Sequence, residues 1–560
     1  MGGLPHTDSW LLSLQLLDPS GRRRHGGRGP ARGAGDPGGR VSRAYDAIVL
    51  GAGADGLVAA TVLARKGRRV LVLEEAPEPG GTLREIEFAP GFRAAPLAAD
   101  AGYLTRDVLR ATGLALPAAV SVDPTVVALG EGPPLALLRS PGPMAAALLP
   151  HSAADARAWP AFAARMAALA GFLEELCRRA PPRVAGATLR ERLGLGQLAL
   201  LYRGLGRAGM VELLRALPMP LADLLDDSFE SERLKGALAG IGVMDVARGP
   251  MAGGTALNFL YRQIGIAPGV FGERLRLQGG PQALTAALVA AARAAGAVIE
   301  TGVAVERLLV KDERIAGVRT GAGEEVGSSI VISSLDPWRS LLELLGPEHL
   351  DTEFIDAVRN IRFRGVSSRL LLALDGLPPL PEVAGGPAGA WLIAPSLRYV
   401  ERAADAAKYG RCAAEPMIKL RIPSLWQPEL APPGRQVAVL HIQYTPYALR
   451  ESDWSLARDA VADTALARVE RHLPGFTARV RERVLLAPPD LESRFGLREG
   501  ALSQGEMMLD QLLFMRPVPG CSRYATPVPG LFLCGAGTHP GHGLAGQSGL
   551  LAVKKGTVPF

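Results

Sequence analysis

A strand, glycine turn, helix and strand over residues 47–75, a return of the same grammar at 278–300, and an apolar strand breaking into a glycine-dense turn at 530–543 together predict an α/β fold. The expected architecture is a split Rossmann-type dinucleotide-binding domain with a mixed α+β domain inserted between its pieces.

The first unit reads AIVLGAGADGLVAATVLARKGRRVLVLEE. The apolar run Ala47 to Leu50 predicts a strand, Leu57 to Arg65 a helix stopped by Gly67, and Val70 to Leu73 a second strand. In Gly51-Ala-Gly53-Ala54-Asp55-Gly56 each glycine has a separate job. Gly51 makes the tight turn, Gly53 lets backbone approach a pyrophosphate, and Gly56 lets the helix pack closely on the sheet. The N–H groups and dipole of the helix start favour phosphate. Glu74, with Glu75 beside it, stands about 20 residues on at the tip of the second strand, where a carboxylate accepts hydrogen bonds from a ribose and repels a 2′-phosphate. A glycine turn alone is weak; strands, helix and acid together point to a bound dinucleotide.

Gly80-Gly81 follows directly, with Thr82 behind it. A glycine pair at this place is either a plain turn or a seat for a flat or phosphorylated group, and next to Glu74 it points to a flavin.

Composition excludes several classes. The chain has 560 residues, 48% hydrophobic and 21% charged, as in ordinary globular proteins. Of the formal charge of +7, residues 1–44 carry +4, from seven Arg against three Asp, which leaves no sustained basic face for nucleic acid. Cys177, Cys412, Cys521 and Cys534 form no CxxC pair, and the eight histidines form no metal-ligand motif. No run of about 18 uninterrupted apolar residues predicts a transmembrane segment. The Arg-, Gly- and Pro-rich leader is expected to be disordered; it reads either as a mitochondrial presequence or as an uninformative tail.

From roughly 100 to 270 the chain is Ala-, Leu- and Arg-rich and reads as helices. Trp159, Phe162, Met166, Leu169, Phe172 and Leu176 recur at three and four, the face of a core helix. Another helix is expected near Phe229. Beyond Gln278 come a helix through Ala294, a stop at Gly296 and strands at 298–300, 303–310, 314–318 and 329–333. Strands are expected at 369–374, 390–393, 417–422 and 436–444, and a late helix with Val461, Ala465, Val469, Leu473 and Phe476 along one face. Asp490, Glu492, Glu506 and Asp510 are expected to cap helices or pair with Arg494 and Arg516. The boundaries are then a leader at 1–44, the dinucleotide domain at 45–115, 276–338 and 501–560, and the inserted domain at 116–275, mainly helical, and 339–500, containing a sheet.

The last strand runs into Gly535-Ala536-Gly537-Thr-His539-Pro-Gly541-His542-Gly543, expected to lead into a helix near Leu544 whose N–H groups face negative charge beyond the strand. On a reduced flavin that charge lies at N1 and the C2 carbonyl. His539 and His542 are the nearest candidates for work beside it, although a turn histidine satisfying backbone groups is the more ordinary reading.

GAGADGLVAA at 51–60, IPSLWQPELAPPG at 422–434, QYTPYAL at 443–449, APPDLESRFGL at 487–497, GEMMLDQLLFMRPVPG at 505–520 and PGLFLCGAGTHPGHG at 529–543 resemble the phytoene desaturase branch of the FAD-dependent amine oxidase superfamily. The resemblance runs from Tyr45 to about Ala552. It implies FAD as cofactor, a small-molecule substrate that is not defined, residence in the mitochondrial matrix with the cytoplasm as the alternative, and a protein of the respiratory chain as partner. It also implies that Gly51, Gly53 and Gly56 form the phosphate loop, Glu74 the ribose acid and Gly80 and Gly81 the second glycine pair. Val305 would turn its backbone to the adenine, and Gly535, Ala536, Gly537 and the turn from His539 to Gly543 would face the flavin.

The sequence departs from the family at Ala54-Asp55, usually His-Asn, which brings a charge to the phosphate loop. His542 replaces a usual glycine, and the final helix is altered over Gln547 to Lys555. Three readings follow: an FAD-dependent oxidoreductase taking hydride from a C–H or C–N bond, with the cofactor carrying the chemistry; a weakened FAD-fold protein acting through protein interaction; and an NAD-linked dehydrogenase. Only one glycine-and-acid fingerprint is present, which counts against the last.

Overall fold

The computed structural model describes residues 43–182, 189–266, 270–271, 274–381, 383 and 388–554. The leader up to residue 42 and the end from Lys555 lie outside the described residues. Arg43 and Ala44, expected to close a disordered leader, instead form a short strand pairing with Val326 and Gly327, and Arg43 donates 2.9 Å to Glu324.

The parallel sheet that positions the site has five strands. They are β1 (Ala47–Leu50), β2 (Val70–Glu74), β3 (Val298–Thr301), β4 (Val331–Ser333) and β5 (Leu531–Leu533), in the spatial order β5-β4-β1-β2-β3. All neighbours run parallel. Every residue of β1, β4 and β5 is buried, because helices or a second layer cover both faces, so these strands read as apolar runs without alternation.

Helix α1 (Ala54–Arg65) packs against α2 (Gly280–Ala294) and α3 (Gln547–Ala552) on one face. Leu57, Val58 and Leu63 of α1 are fully buried, worth roughly 1.5–3 kcal/mol each. Helix α2 ends where Gly296 takes φ +95°. Helix α3 begins three residues later than the expected Leu544, because the turn through Gly543 and Gly546 persists to its N-cap.

The second large sheet has seven strands, in the spatial order 480–486, 367–374, 436–443, 417–421, 391–393, 126–129, 135–137. Its pairs are antiparallel apart from the one between 391–393 and 126–129. Val126–Leu129 and Leu135–Leu137 come from a stretch that reads as helical; each is too short to show alternation and fully buried. The helix Ala153–Cys177 carries the expected stripe through Leu169, then continues with Leu173 and Cys177 in place of Phe172 and Leu176. A four-stranded sheet holds 43–44, 325–327, 314–320 and 305–311.

The late helix, Trp454–His472, buries Val461, Ala465 and Val469, with Leu473 and Phe476 buried just beyond it. Of the carboxylates expected to cap helices or pair with Arg494 and Arg516, Asp490 does cap the helix Pro488–Phe495, accepting 2.7 Å from the Ala487 N–H, and the pairing partners are other residues. Asp490 accepts 2.9 Å from Arg458, Glu506 accepts 2.9 Å from Arg362, Asp510 accepts 2.6 Å from Arg362, and Glu492 takes the Tyr447 hydroxyl. Arg516 donates to the carbonyls of Glu506, Gln511 and Ala536 instead.

Candidate functional site

A cavity of about 690 Å³ opens beyond the carboxyl ends of four parallel strands, within the roughly 300–1,000 Å³ usual for small-molecule and cofactor sites. Gly51 follows β1, Glu74 ends β2, Ser334 follows β4 and Gly535 follows β5; all four line it. That is the place where open α/β sheets bind their ligands.

The glycine loop has the geometry its spacing asks for. Gly51 has φ +89°, and a side chain on it would stand 2.5 Å from Ser334 Oγ. A Cβ on Gly56 would stand 2.1 Å from the Gly51 carbonyl oxygen, so Gly56 closes the helix onto the strand and faces away from the cavity. Gly53 has nothing within 4 Å of a Cβ and lines the cavity, which leaves room for a phosphate against its backbone.

Glu74 accepts 2.6 Å from the Ala52 N–H and 2.9 Å from the Ala76 N–H. A carboxylate has about four acceptor positions, so its oxygens retain capacity for a ribose. Glu75, Gly80, Gly81, Thr82, Ala54 and Asp55 also line the cavity, and Arg339 holds Glu75 at 2.7 Å. At the far end stand Gly535, Ala536, His542 and Gly543. These residues fit a dinucleotide cofactor stretched from Glu74 to Gly543.

Besides Gly56, two residues expected at the cofactor do not line the cavity. Val305 pairs with Thr320 in the four-stranded sheet, and Gly537 sits behind the wall, its N–H donating 2.9 Å to Gln504 Oε1 while Pro337 crowds its other side.

Asp55 differs from expectation in its direction. Its Oδ1 accepts 3.0 Å from the Gly549 N–H, in the first turn of α3. The carboxylate therefore caps α3, and that donor does not face a flavin. Burial pushes Asp55 up to about 6, while hydrogen bonds from Gly549 and Ser548 pull the other way.

His539 is buried away from the cavity with Nε2 2.9 Å from the Arg179 carbonyl oxygen, a turn histidine serving backbone. His542 does line the cavity; burial, then Arg262, lower it to about 4, so it is neutral near pH 7. Gly543 is fixed by Tyr103, whose N–H donates 3.1 Å to its carbonyl, and by Arg274 on the same oxygen.

The wall opposite the parallel sheet was not legible as a site. Arg369, His441, Lys419 and Arg421 reach the cavity from three adjacent strands of the seven-stranded sheet. Asp245, with φ +57°, meets Arg369 at 3.0 Å and lies 3.2 Å from His441 Nε2. Burial by itself raises an aspartate, yet the charges around it hold Asp245 well below the usual range. Gln443 fixes this turn, accepting 2.7 Å from the Asp245 N–H and donating 2.8 Å to the Val243 carbonyl. The available signal was one or two basic residues inside each of three largely apolar strands.

Residues 49–102 match the NAD(P)-binding Rossmann-like domain. The chain is 34% identical over 542 residues to pyridine nucleotide-disulfide oxidoreductase domain-containing protein 2 of Mus musculus, covering 91% of this chain and 93% of that protein. It is 25% identical to a neurosporene-forming phytoene desaturase of Cereibacter sphaeroides, over 93% of this chain and 95% of the other. Among solved structures, an oxidoreductase from Methanosarcina mazei shares the fold at a TM-score of 0.55 and 17% identity, covering 90% of this chain and 98% of that one. The chain belongs to the pyridine nucleotide-disulfide oxidoreductase domain-containing protein 2 family, with phytoene desaturases as further relatives.

Proposed function

We propose that this oxidoreductase removes hydride from a C–H or C–N bond of a small molecule with an apolar body. The observation that carries the reading is one continuous cavity joining the dinucleotide-binding segments to a chamber under the seven-stranded sheet, so that a cofactor and a substrate share a single space. FAD, when bound, supplies the hydride-accepting chemistry.

The chain's own residues do the rest. Gly53 gives the phosphates close backbone approach, Glu74 offers its free acceptor positions to a ribose, and the Gly541–Gly543 turn, tied by Tyr103 and Arg274, closes the far end. Ile241, Met244, Val246, Ile266 and Met507 line the substrate chamber and exclude water from it. With the cofactor accepting hydride, a dedicated acid–base pair is not required, and His542 stands neutral at the wall. We further propose that the protein works in the mitochondrial matrix and passes electrons to a protein of the respiratory chain. Among the described residues, no helix is long and apolar enough to cross a membrane.

The test is anaerobic spectroscopy of the purified full chain loaded with FAD. Bleaching of the flavin band near 450 nm by a small organic donor is the expected result. A chain that binds no FAD would overturn the reading and favour the alternative of action through protein interaction.

A further inference from the structure

Two consecutive helices, Leu189–Gly204 and Gly206–Ala216, turn large apolar side chains to the solvent. Leu189 is 75% exposed, Leu193 64% and Leu200 68% on the first, and Val211 is 53% and Leu214 59% on the second. Spacings of four and seven set the three leucines of the first helix along one line, and a spacing of three does the same for the pair on the second. None of the described side chains of Leu189–Gly204 is buried. Gly194, Gly196 and Gly204 have nothing within 4 Å of a Cβ, so this helix lies on the protein rather than in it. Tyr202, its ring 5.8 Å from that of Phe172, and Arg179, donating 3.1 Å to Gln197, hold it there. A single exposed leucine is ordinary, whereas an apolar line facing water on a helix with no buried face marks a docking surface.

The exposed charges beside the line share a sign among the described side chains. Arg192 and Arg203 are exposed on the first helix; Arg207 and Arg215, four residues before and after Val211, are exposed on the second. Glu212 is turned inward onto Arg165 at 2.7 Å, and Arg215 also reaches Asp227 at 3.2 Å. Leucines bordered by guanidinium groups fit a surface that is apolar below and anionic at its rim. The leucines enter the acyl boundary, while the arginines lift their charge along apolar stems to the phosphates. A second copy of the chain, meeting this face about a two-fold axis, would bring arginines against arginines.

We propose that Leu189–Gly204 and Gly206–Ala216 dock the protein on an anionic membrane surface, lying in the headgroup plane without crossing the bilayer. Docking there does not depend on what the cavity binds or oxidises.

The experiment floats the full chain with vesicles of phosphatidylcholine and phosphatidylglycerol in equal parts, and with vesicles of phosphatidylcholine alone. Binding to the mixed vesicles is expected to be at least about tenfold tighter than to the neutral ones, and to weaken as salt is raised. Leu193→Glu combined with Leu200→Glu is expected to weaken binding at least about tenfold at an unchanged melting temperature, because both positions face water. Should that variant melt lower, Val211→Glu with Leu214→Glu on the other helix gives the same readout. A wild type that floats with neither vesicle, or leucine and valine variants that float as the wild type does, overturns the docking face. Equal binding to both vesicles overturns its anionic preference. A leucine variant that runs as a smaller particle than the wild type in lipid-free solution assigns the face to a second copy and overturns the membrane.

Discussion

Asp55 Oδ1 and the Gly549 N–H meet at 3.0 Å across 494 residues of sequence. This contact joins the glycine loop to the last helix, and α1 packs on α3 beside it. A Cβ on Gly549 would fall 1.9 Å from the Asp55 carbonyl oxygen, with backbone on both sides, so neither partner can move aside cheaply.

Gly549→Ala is therefore expected to destabilise the protein by about 1–3 kcal/mol or more, as overpacking of a fixed backbone contact does. It is also expected to lower FAD retention, since α3 follows the turn that closes the cavity. Denaturant unfolding and flavin content check both; an unchanged midpoint would contradict the contact.

Asp55→Asn keeps the acceptor for Gly549 and removes a buried charge whose pKa stands near 6. The variant is expected to melt higher near pH 7 and to bind FAD more tightly, because no negative charge remains beside the phosphates. Asp55→Ala, which loses the cap, is expected to melt lower. Calorimetry and FAD titration at one ionic strength separate the two, and an Asn variant with weaker FAD binding would count against this role.

Arg369→Leu strands Asp245 without its 3.0 Å partner in a buried setting. Breaking one side of a buried pair costs about 3–5 kcal/mol, so a drop of that order in unfolding free energy is expected. Arg369→Leu combined with Asp245→Asn should recover a good part of it. A single variant as stable as the wild type would show the pair to be weak.

Stability is expected to fall on acidification before ordinary carboxylates titrate. His441, His539 and His542 titrate near 4 in the folded chain, against about 6.5 when unfolded. Between these values the unfolded chain binds more protons, so folding loses stability as pH drops from about 6.5 to about 4. Asp55 and Asp336, raised to about 6 chiefly by burial, and Glu85, raised by the same cause, act in the opposite sense, but burial also lowers His151 and His472, which add to the histidine side. A melting temperature that declines over this window, and declines less steeply in His539→Gln, is the outcome to look for.

The three pieces of the dinucleotide domain were legible because each couples a local pattern to a local cause: apolar strand, glycine turn, acid at a fixed distance. Glu74, Gly53 and Gly543 lie where those patterns place them, on the cavity wall. Asp55 was visible as an odd residue, but its partner Gly549 was not, because nothing near either residue encodes a contact nearly 500 positions away. The row of Arg369, His441 and Lys419 depends on cross-strand register, which a single chain does not display. The strands at 126–129 and 135–137 were hidden in helix-forming composition, and tertiary pairing with 391–393 decided their state.

The most direct measurement is FAD titration of the full chain followed at 450 nm, with Gly53→Val beside the wild type. Saturation near one FAD per chain is expected, with a loss of at least about tenfold in affinity when a side chain fills the open face of Gly53. A wild type that takes up no FAD, or a Gly53→Val variant that binds it equally well, would contradict this expectation.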